Sequence, residues 1–237
     1  MNEFHDIWVY LSASPLLHLT LTLTTFVAAN VVYRKLGMHP LLNPVLLSVI
    51  AIVFILHKTQ TGYNTYFEGA QFVHFLLGPA TVAIAVPLYR QFSKVRQSAA
   101  AILISLLCGS VTSALTAVGV AWALGASDAS VISIAPKSVT APVAMGISEQ
   151  LGGLPSLTAV IVILTGITGA MLGPLVLNLM RIKDWSIRGL AIGTASHGIG
   201  TARALQVNET AGAFSGLAMG LNALATALLL PLLWNLI

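Results

Sequence analysis

Long apolar runs alternate along the chain with short polar connections. The runs are long enough, or nearly so, to cross the roughly 30 Å hydrocarbon core of a bilayer as helices. Helices are predicted because backbone groups in lipid must find hydrogen-bond partners within their own segment. The predicted spans are residues 15–33, 41–57, 70–89, 97–124, 155–180 and 211–236.

Composition supports this interpretation of the apolar runs. Of the 237 residues, 57% are hydrophobic and only 8% are charged. A soluble domain carries about 25% charged residues, so this chain could not cover a water-exposed surface. The sequence predicts an all-α integral membrane protein with about six to eight transmembrane helices. We expect residues 1–237 to form a single transmembrane domain, with the first four helices in residues 15–124.

The basic residues are concentrated in three short connections, which predicts the orientation of the chain. The acidic residues Glu3, Asp6, Glu68 and Asp128 fall in the other connections, together with Lys58. The positive-inside rule therefore places the basic connections in the cytoplasm and the N-terminus outside. The basic connections contain Arg34 and Lys35; Arg90, Lys94 and Arg96; and Arg181, Lys183 and Arg188.

Two further segments do not fit simple spanning helices. Residues 131–150 contain Pro136 and Pro142, and proline disfavours a helix interior. Residues 189–205 contain four glycines. Proline and glycine at membrane depth indicate unwound backbone, which is tolerated only when it is buried in protein or lines a wet cavity. We therefore predict two broken, re-entrant segments that enter the membrane from opposite faces.

A weak internal repeat relates the second half of the chain to itself. At an offset of 57 residues, Ala170, Leu172, Pro174, Leu175, Asn178 and Leu179 match Ala227, Leu229, Pro231, Leu232, Asn235 and Leu236. Each repeat would join one broken segment to one spanning helix, in residues 131–180 and 189–236. One crossing per unit would make the units inverted, as in elevator-type and other secondary transporters.

The broken segments also carry polar and charged residues that predict an anion site. Lys137 and Arg203 lie outside the basic connections, and a charge within the membrane is costly unless it is paired or functional. Arg203 could hold a carboxylate with a two-point fork, whereas Lys137 would act as a point charge. Alternatively, Lys137 snorkels to the interface and Arg203 ends a helix at the cytoplasmic face. The remaining candidates are Ser138, Thr140, Thr194, Ser196, His197 and Thr81.

Two of the candidates could couple transport to protons. His197 lies between polar residues and glycines, and it either titrates near neutral pH or fixes the local backbone as a donor. Glu149 is either a proton carrier or an interfacial loop residue. A coupling role for H⁺ or Na⁺ stays open, and the sequence predicts no other cofactor and no metal site.

Enzyme signatures are absent from the sequence. It contains no phosphate-binding loop, no paired cysteine ligands and no zinc-protease motif. Ser196 precedes His197, but adjacent side chains point apart and no nucleophile elbow surrounds them. The net charge of +4 comes from loop residues rather than a basic patch, so no nucleic-acid partner is expected.

Three long motifs carry a resemblance to a known family. They are GPATVAIAVPLYRQ at residues 78–91, PKSVTAPVAMGISEQLGG at 136–153, and GTASHGIGTARAL at 193–205. With nearly the whole chain, they resemble the LrgB/CidB family. That family includes YohK-like bacterial inner membrane proteins and the C-terminal half of the plant plastidic glycolate/glycerate translocator.

The resemblance implies two competing functions. One is secondary transport of glycolate, glycerate, pyruvate or similar small monocarboxylates across the bacterial inner membrane. The other is a holin/antiholin-like protein that modulates murein hydrolase activity and lysis. Either function implies a small LrgA/CidA-type membrane protein as partner. The apolar segment at residues 41–57 would face lipid or a second copy, so we expect a homodimer.

Overall fold

The computed structural model describes residues 14–38, 42–76, 79, 82–83 and 85–234. The chain divides into two compact units, Met1–Ala83 and Ile84–Ile237. The prediction of a single transmembrane domain stays a prediction beside this division.

Three helices form the first unit: α1 (Pro15–Lys35), α2 (Pro44–Lys58) and α3 (Tyr63–Phe75). Proline begins α1 and α2, where its missing N–H costs no intrahelical bond. The Asn43 side chain caps α2 by accepting from the N–H groups of Val45 and Leu46. The start of α3 precedes the predicted span at residues 70–89, because the polar residues from Tyr63 onward continue the same helix.

Close contact between α1 and α3 organises this unit. A Cβ on Gly69 would overlap the carbonyl of Pro15 and crowd His18, so glycine permits the approach. His18 is only 1% exposed and packs edge-on against Tyr66, which lies 2.9 Å from Thr22 through the two hydroxyl oxygens. His18 therefore has a packing role within this unit.

The second unit contains all the candidate site residues that the structure describes. Its helices are α4 (Ala85–Arg90), α5 (Phe92–Gln97), α6 (Ala99–Ala123), α7 (Asp128–Ile134), α8 (Ala141–Leu151), α9 (Pro155–Leu179), α10 (Trp185–Val207) and α11 (Glu209–Trp234).

The fold class is confirmed. The described residues form helices and no strands, and four described helices are long and apolar enough to cross a membrane. These are α1, α6, α9 and α11, and the shorter apolar α2 adds a fifth apolar segment. The protein is an all-α membrane protein.

The first broken segment folds back on itself between α7 and α8. Thr158 Oγ1 on α9 lies 3.1 Å from the Ser133 carbonyl oxygen of α7 and 2.8 Å from Ser148 Oγ of α8. The reversal takes place in residues 135–140, which include Pro136. Pro142 falls in the first turn of α8, where proline is tolerated.

The second broken segment, α10, is a hairpin of two helical arms, residues 185–196 and 198–207. A Cβ on Gly200 would lie 3.2 Å from the carbonyl oxygen of Ile192. In a straight helix these residues would be about 12 Å apart. His197 makes the reversal, with φ 41° and ψ −136°, close to the first central position of a type II′ turn.

The glycines of this segment do not themselves unwind the backbone, but the predicted break is present, at His197. Gly189, Gly193 and Gly200 have helical backbone within the arms, and the only non-helical residue inside α10 is His197. These glycines permit close packing instead. A Cβ on Gly189 would overlap the Ala211 carbonyl of α11, and one on Gly193 would overlap the Ser215 carbonyl.

The bounds of these elements follow the 57-residue offset found in the sequence. Ser127 is the N-cap of α7 and Asp184 is the N-cap of α10. Thr140 precedes α8 as His197 precedes the second arm of α10. Pro174 and Pro231 lie inside α9 and α11. Residues 128–179 and residues 185–234 therefore each consist of a folded-back pair of short helices followed by one long helix.

Candidate functional site

The Lys137 side chain lies at the tip of the first broken segment. Its Nζ donates to Ser113 Oγ of α6 at 2.9 Å and to Ser138 Oγ at 3.2 Å. The two hydroxyl oxygens are 2.8 Å apart, so the three groups form a compact cluster. No carboxylate of the described residues contacts Lys137. Within that part of the chain, the ammonium is solvated by hydroxyls and is not neutralised by an anion.

Asn222, on α11, joins the tips of the two broken segments. Its Nδ2 donates to the carbonyl oxygen of Ser138 at 3.2 Å and to that of Thr194 at 3.1 Å. The side chain is fully buried, and its Oδ1 has no hydrogen-bond partner in the described structure. An amide is suited to this position because one NH₂ group can satisfy two carbonyls.

His197 holds the second tip against α9. Its Nε2 lies 2.9 Å from the carbonyl oxygen of Val162, and because a carbonyl only accepts, that nitrogen carries the proton. The side chain is 4% exposed, and a Cβ on Gly166 would crowd its ring. This arrangement supports the backbone-fixing alternative, while the proton-coupling role of His197 stays a prediction.

A cavity of about 660 Å³ lies between α6 and the first arm of α10. On one side its polar lining is Ser98, the N-cap of α6, with Ser105 and Ser113 on the same face of that helix. Its polar lining on α10 is Ser186 and Thr194. Lys137 is not itself a lining residue, but Ser113, at the inner end of the cavity, is the hydroxyl that accepts from its ammonium.

The other end of this cavity lies beside two of the basic connections. Ser98 follows α5, and Ser186 follows the Asp184 cap of α10. Hydrogen bonds to the Asp184 carboxylate, chiefly from the Ile187 N–H and then from Ser186, hold its pKa below the ordinary value, and the positive charge of Lys94 lowers it further. The electrostatic effect of Lys94 on Asp184 indicates that the two connections lie close together at this end.

The remaining predicted site residues are distributed around the tips. Thr140 is the N-cap of α8, and Ser196 is fully buried against Gly169, where a Cβ would overlap the hydroxyl. Arg203 lies on the second arm of α10, partly buried, and is not among the residues that line the cavity. Its predicted fork to the substrate stays a prediction.

Two other candidates lie away from the tips or cannot be placed. Glu149 is exposed near the C-terminal end of α8, and both alternatives for it stay predictions. Thr81 lies outside the described residues.

Sequence reasoning missed Ser113, Ser105 and Asn222. Serine is common in transmembrane helices, so a single serine on α6 carries no signal. The spacing of Ser98, Ser105 and Ser113 at seven and eight residues does place them on one helical face, and this spacing is visible in the sequence. Asn222 was the better signal, because an amide within an apolar span must be hydrogen-bonded.

Comparison with known proteins decides the family. The family model described as the LrgB-like family matches residues 22–236. The chain belongs to the LrgB-like family. This confirms the resemblance carried by the three sequence motifs. No solved structure matches the chain.

Relatives of this LrgB-like protein are similar over most of its length. It is 38% identical over 212 residues to "Uncharacterized protein YxaC" of Bacillus subtilis, covering 90% of this chain and 92% of that protein. It is 33% identical over 233 residues to "Holin-like protein CidB" of Staphylococcus epidermidis, covering 98% of each. The CidB protein of Staphylococcus aureus is 33% identical over 218 residues, covering 92% of this chain and 95% of that protein.

Proposed function

We propose that this LrgB-like protein is a secondary carrier for small monocarboxylate anions, with Lys137 as the residue that holds the carboxylate. The observation that carries the proposal is the Lys137 ammonium, which contacts no carboxylate among the described residues and is hydrogen-bonded to two hydroxyls, one of them Ser113 at the inner end of a cavity. A cation at membrane depth is costly unless it pairs with something, and a substrate anion would supply the missing charge.

The hydroxyls suit the substrates that the family resemblance implies. Ser113 and Ser138 can each donate or accept beside the ammonium. A glycolate- or pyruvate-like anion carries a hydroxyl or carbonyl oxygen next to its carboxylate. The ammonium would bind the carboxylate while a serine bonds the neighbouring oxygen, which favours 2-hydroxy and 2-oxo acids over plain acids.

The surrounding helices add to the positive potential at the tips. Helix α8 begins at Ala141 and the second arm of α10 begins after His197, so two helix N-termini lie at the tips that Asn222 joins. N-terminal N–H groups favour anions. Paired broken helices that meet at a substrate site are a recurring plan of secondary transporters.

A second function is favoured by the relatives. The CidB proteins of two staphylococci are named holin-like, and none of the relatives described above is named a transporter. These names support a holin/antiholin-like role in lysis more directly than they support a carrier. A holin-like protein would act by self-association and would not depend on the charge of Lys137.

The partners and the location expected from the sequence belong to the same proposal. They are a homodimer, a small LrgA/CidA-type membrane protein, and residence in a bacterial inner membrane with the N-terminus outside. The apolar face of α2, which includes Ile50, Val53 and Phe54, is exposed in the single chain and would meet lipid or the second copy.

Uptake of labelled glycolate into proteoliposomes of the purified protein tests the carrier. We expect saturable uptake that Lys137→Met lowers about tenfold to a hundredfold, because a hydrogen bond to a charged group contributes about 1.5–3 kcal/mol. Lys58→Ala is the control. It removes a basic residue that is far from the tips in sequence, and it should retain uptake.

Release of an unrelated solute, such as entrapped glucose, is measured in the same vesicles. Leakage that Lys137→Met does not change, without saturable uptake of glycolate, glycerate or pyruvate, would reject the carrier in favour of a holin-like pore. Adding the LrgA/CidA-type protein to the vesicles shows whether either activity requires that partner.

A further inference from the structure

The cavity between α6 and α10 extends well beyond the Lys137 cluster. Its volume of about 660 Å³ is several times that of a three-carbon acid, so it is not a close-fitting substrate pocket. Most of its lining is apolar, and its polar groups form a track along one side. The track consists of Ser98, Ser105 and Ser113 along α6. Ser186 and Thr194 lie on the opposite wall, on α10.

The length of the track is comparable with the thickness of a membrane. Ser98 and Ser113 are fifteen residues apart, which corresponds to about 22 Å along the helix axis. The hydrocarbon core is roughly 30 Å thick. A cavity of this length would therefore account for most of the distance across the bilayer.

Charge at the end of the cavity beside the basic connections favours anions. The connections beside Ser98 and Ser186 carry Lys94, Arg96, Arg181 and Lys183, and all four side chains are exposed. Asp184 is the one acidic residue in these two connections, and its carboxylate is engaged by the N–H groups of Ser186 and Ile187. A cleft rimmed by one sign of charge concentrates ions of the opposite sign.

We propose that this cavity is a one-sided aqueous vestibule through which small carboxylate anions travel from the membrane face of the basic connections to Lys137. The structure is then the state open to that face, which the positive-inside rule assigns to the cytoplasm. The inference rests on the proposed carrier function. It adds the route, its side, and Ser105 as the residue that the anion passes before Ser113.

Cysteine accessibility tests the route in the full-length protein. In a Cys108→Ala background, Ser105→Cys and Ser113→Cys place thiols along the track. Leu103→Cys and Leu115→Cys are matched controls at nearly the same depths on α6, since Leu103 and Leu115 are exposed but do not line the cavity. Ala191→Cys on α10 is a second probe of the opposite wall. An impermeant, negatively charged thiol reagent is applied to right-side-out and to inverted vesicles.

We expect the track cysteines to react at least about tenfold faster than their controls, because only a thiol in water forms the reactive thiolate readily. The reaction should occur from the face of the basic connections, and glycolate or pyruvate should slow modification of Ser113→Cys. Reaction rates equal to the controls at both track positions and at Ala191→Cys, or reaction only from the opposite face, would overturn the vestibule.

Cysteine reactivity and substrate uptake are measured separately, so the vestibule can be rejected without rejecting the carrier. Reactive track cysteines without Lys137-dependent uptake in proteoliposomes would reject the carrier, and with it the vestibule as a substrate route. Lys137-dependent uptake with unreactive track cysteines would retain the carrier and reject only this route. Variants are compared after each is shown to be monodisperse in detergent.

Discussion

At the residue scale, two glycines decide whether the first arm of α10 can pack on α11. Gly189 and Gly193 lie where any Cβ would overlap a backbone carbonyl of α11, and backbone cannot move aside as a flexible side chain can. At Gly220, on α11, an added Cβ would meet no atom within 4 Å, so this glycine has no such constraint. Glycine therefore has a packing role at positions 189 and 193 and none at position 220.

This difference predicts the effect of two single-methyl substitutions. Gly193→Ala should lower the stability of the folded protein by about 1–3 kcal/mol or more, because overpacking must displace the Ser215 backbone. Gly220→Ala should leave stability unchanged or raise it slightly, since alanine is the better helix former. Thermal unfolding in detergent measures both. Equal midpoints for the two variants would contradict the close packing of α10 on α11.

At the scale of elements, the two broken segments are held to each other through α11. Asn222 contributes the only side chain for which the described structure gives hydrogen bonds to both tips. Neither tip could move far by itself without breaking one of these bonds inside the protein. Because a buried carbonyl without a partner costs about 1–3 kcal/mol, the bonds favour movement of both tips as one body.

Substitution of Asn222 tests this coupling. Asn222→Asp keeps the shape of the side chain but replaces the NH₂ donor by an oxygen that faces two carbonyl oxygens. We expect a loss of stability of roughly 3 kcal/mol. We also expect a higher KM for uptake, because the backbone of Ser138, next to Lys137, is no longer held in position. Thr226→Val, one turn further along α11, breaks only a 3.3 Å hydroxyl contact with Ser110. That variant should retain both properties, and an effect equal to that of Asn222→Asp would argue against a special role for Asn222.

At the scale of the whole molecule, the distribution of charge predicts the orientation of the chain in the membrane. Lys58 ends α2, and Lys94 lies in α5, in one of the basic connections. The positive-inside rule places Lys94 in the cytoplasm and, by the number of crossings, Lys58 outside. The direction assigned to the vestibule depends on the same argument.

Orientation is measured with two reporter cysteines in a Cys108→Ala background. Lys58→Cys should react with an impermeant maleimide added to intact cells, and Lys94→Cys should react only after the cells are opened. Reaction of both variants in intact cells, or the reverse order, would show that the predicted topology is wrong. Each variant changes one charge in its connection, so the other basic residues still orient the chain.

The sequence by itself determined the class of the protein and where its irregular segments lie. An 8% share of charged residues and runs of about 20 apolar residues leave a membrane as the only suitable solvent. Prolines, clustered glycines and misplaced charges marked where the two broken segments lie, although the backbone of the second reverses at His197 rather than at a glycine. These signals are local, because they depend on the cost of polar or unwound backbone in lipid. The repeat at an offset of 57 residues stays a prediction.

Only the tertiary structure decided which polar residues meet. Lys137 lies 24 residues from Ser113 and 85 from Asn222, yet the hydroxyl of Ser113 accepts from its ammonium, and Asn222 binds the carbonyl of the adjacent Ser138. Arg203, an equally strong candidate by sequence, lies on the second arm of α10, whereas Lys137 donates to Ser113, a residue that lines the cavity. Helix packing brings residues from distant parts of the chain together, and a pattern read along one segment contains no information about which face a neighbour will cover.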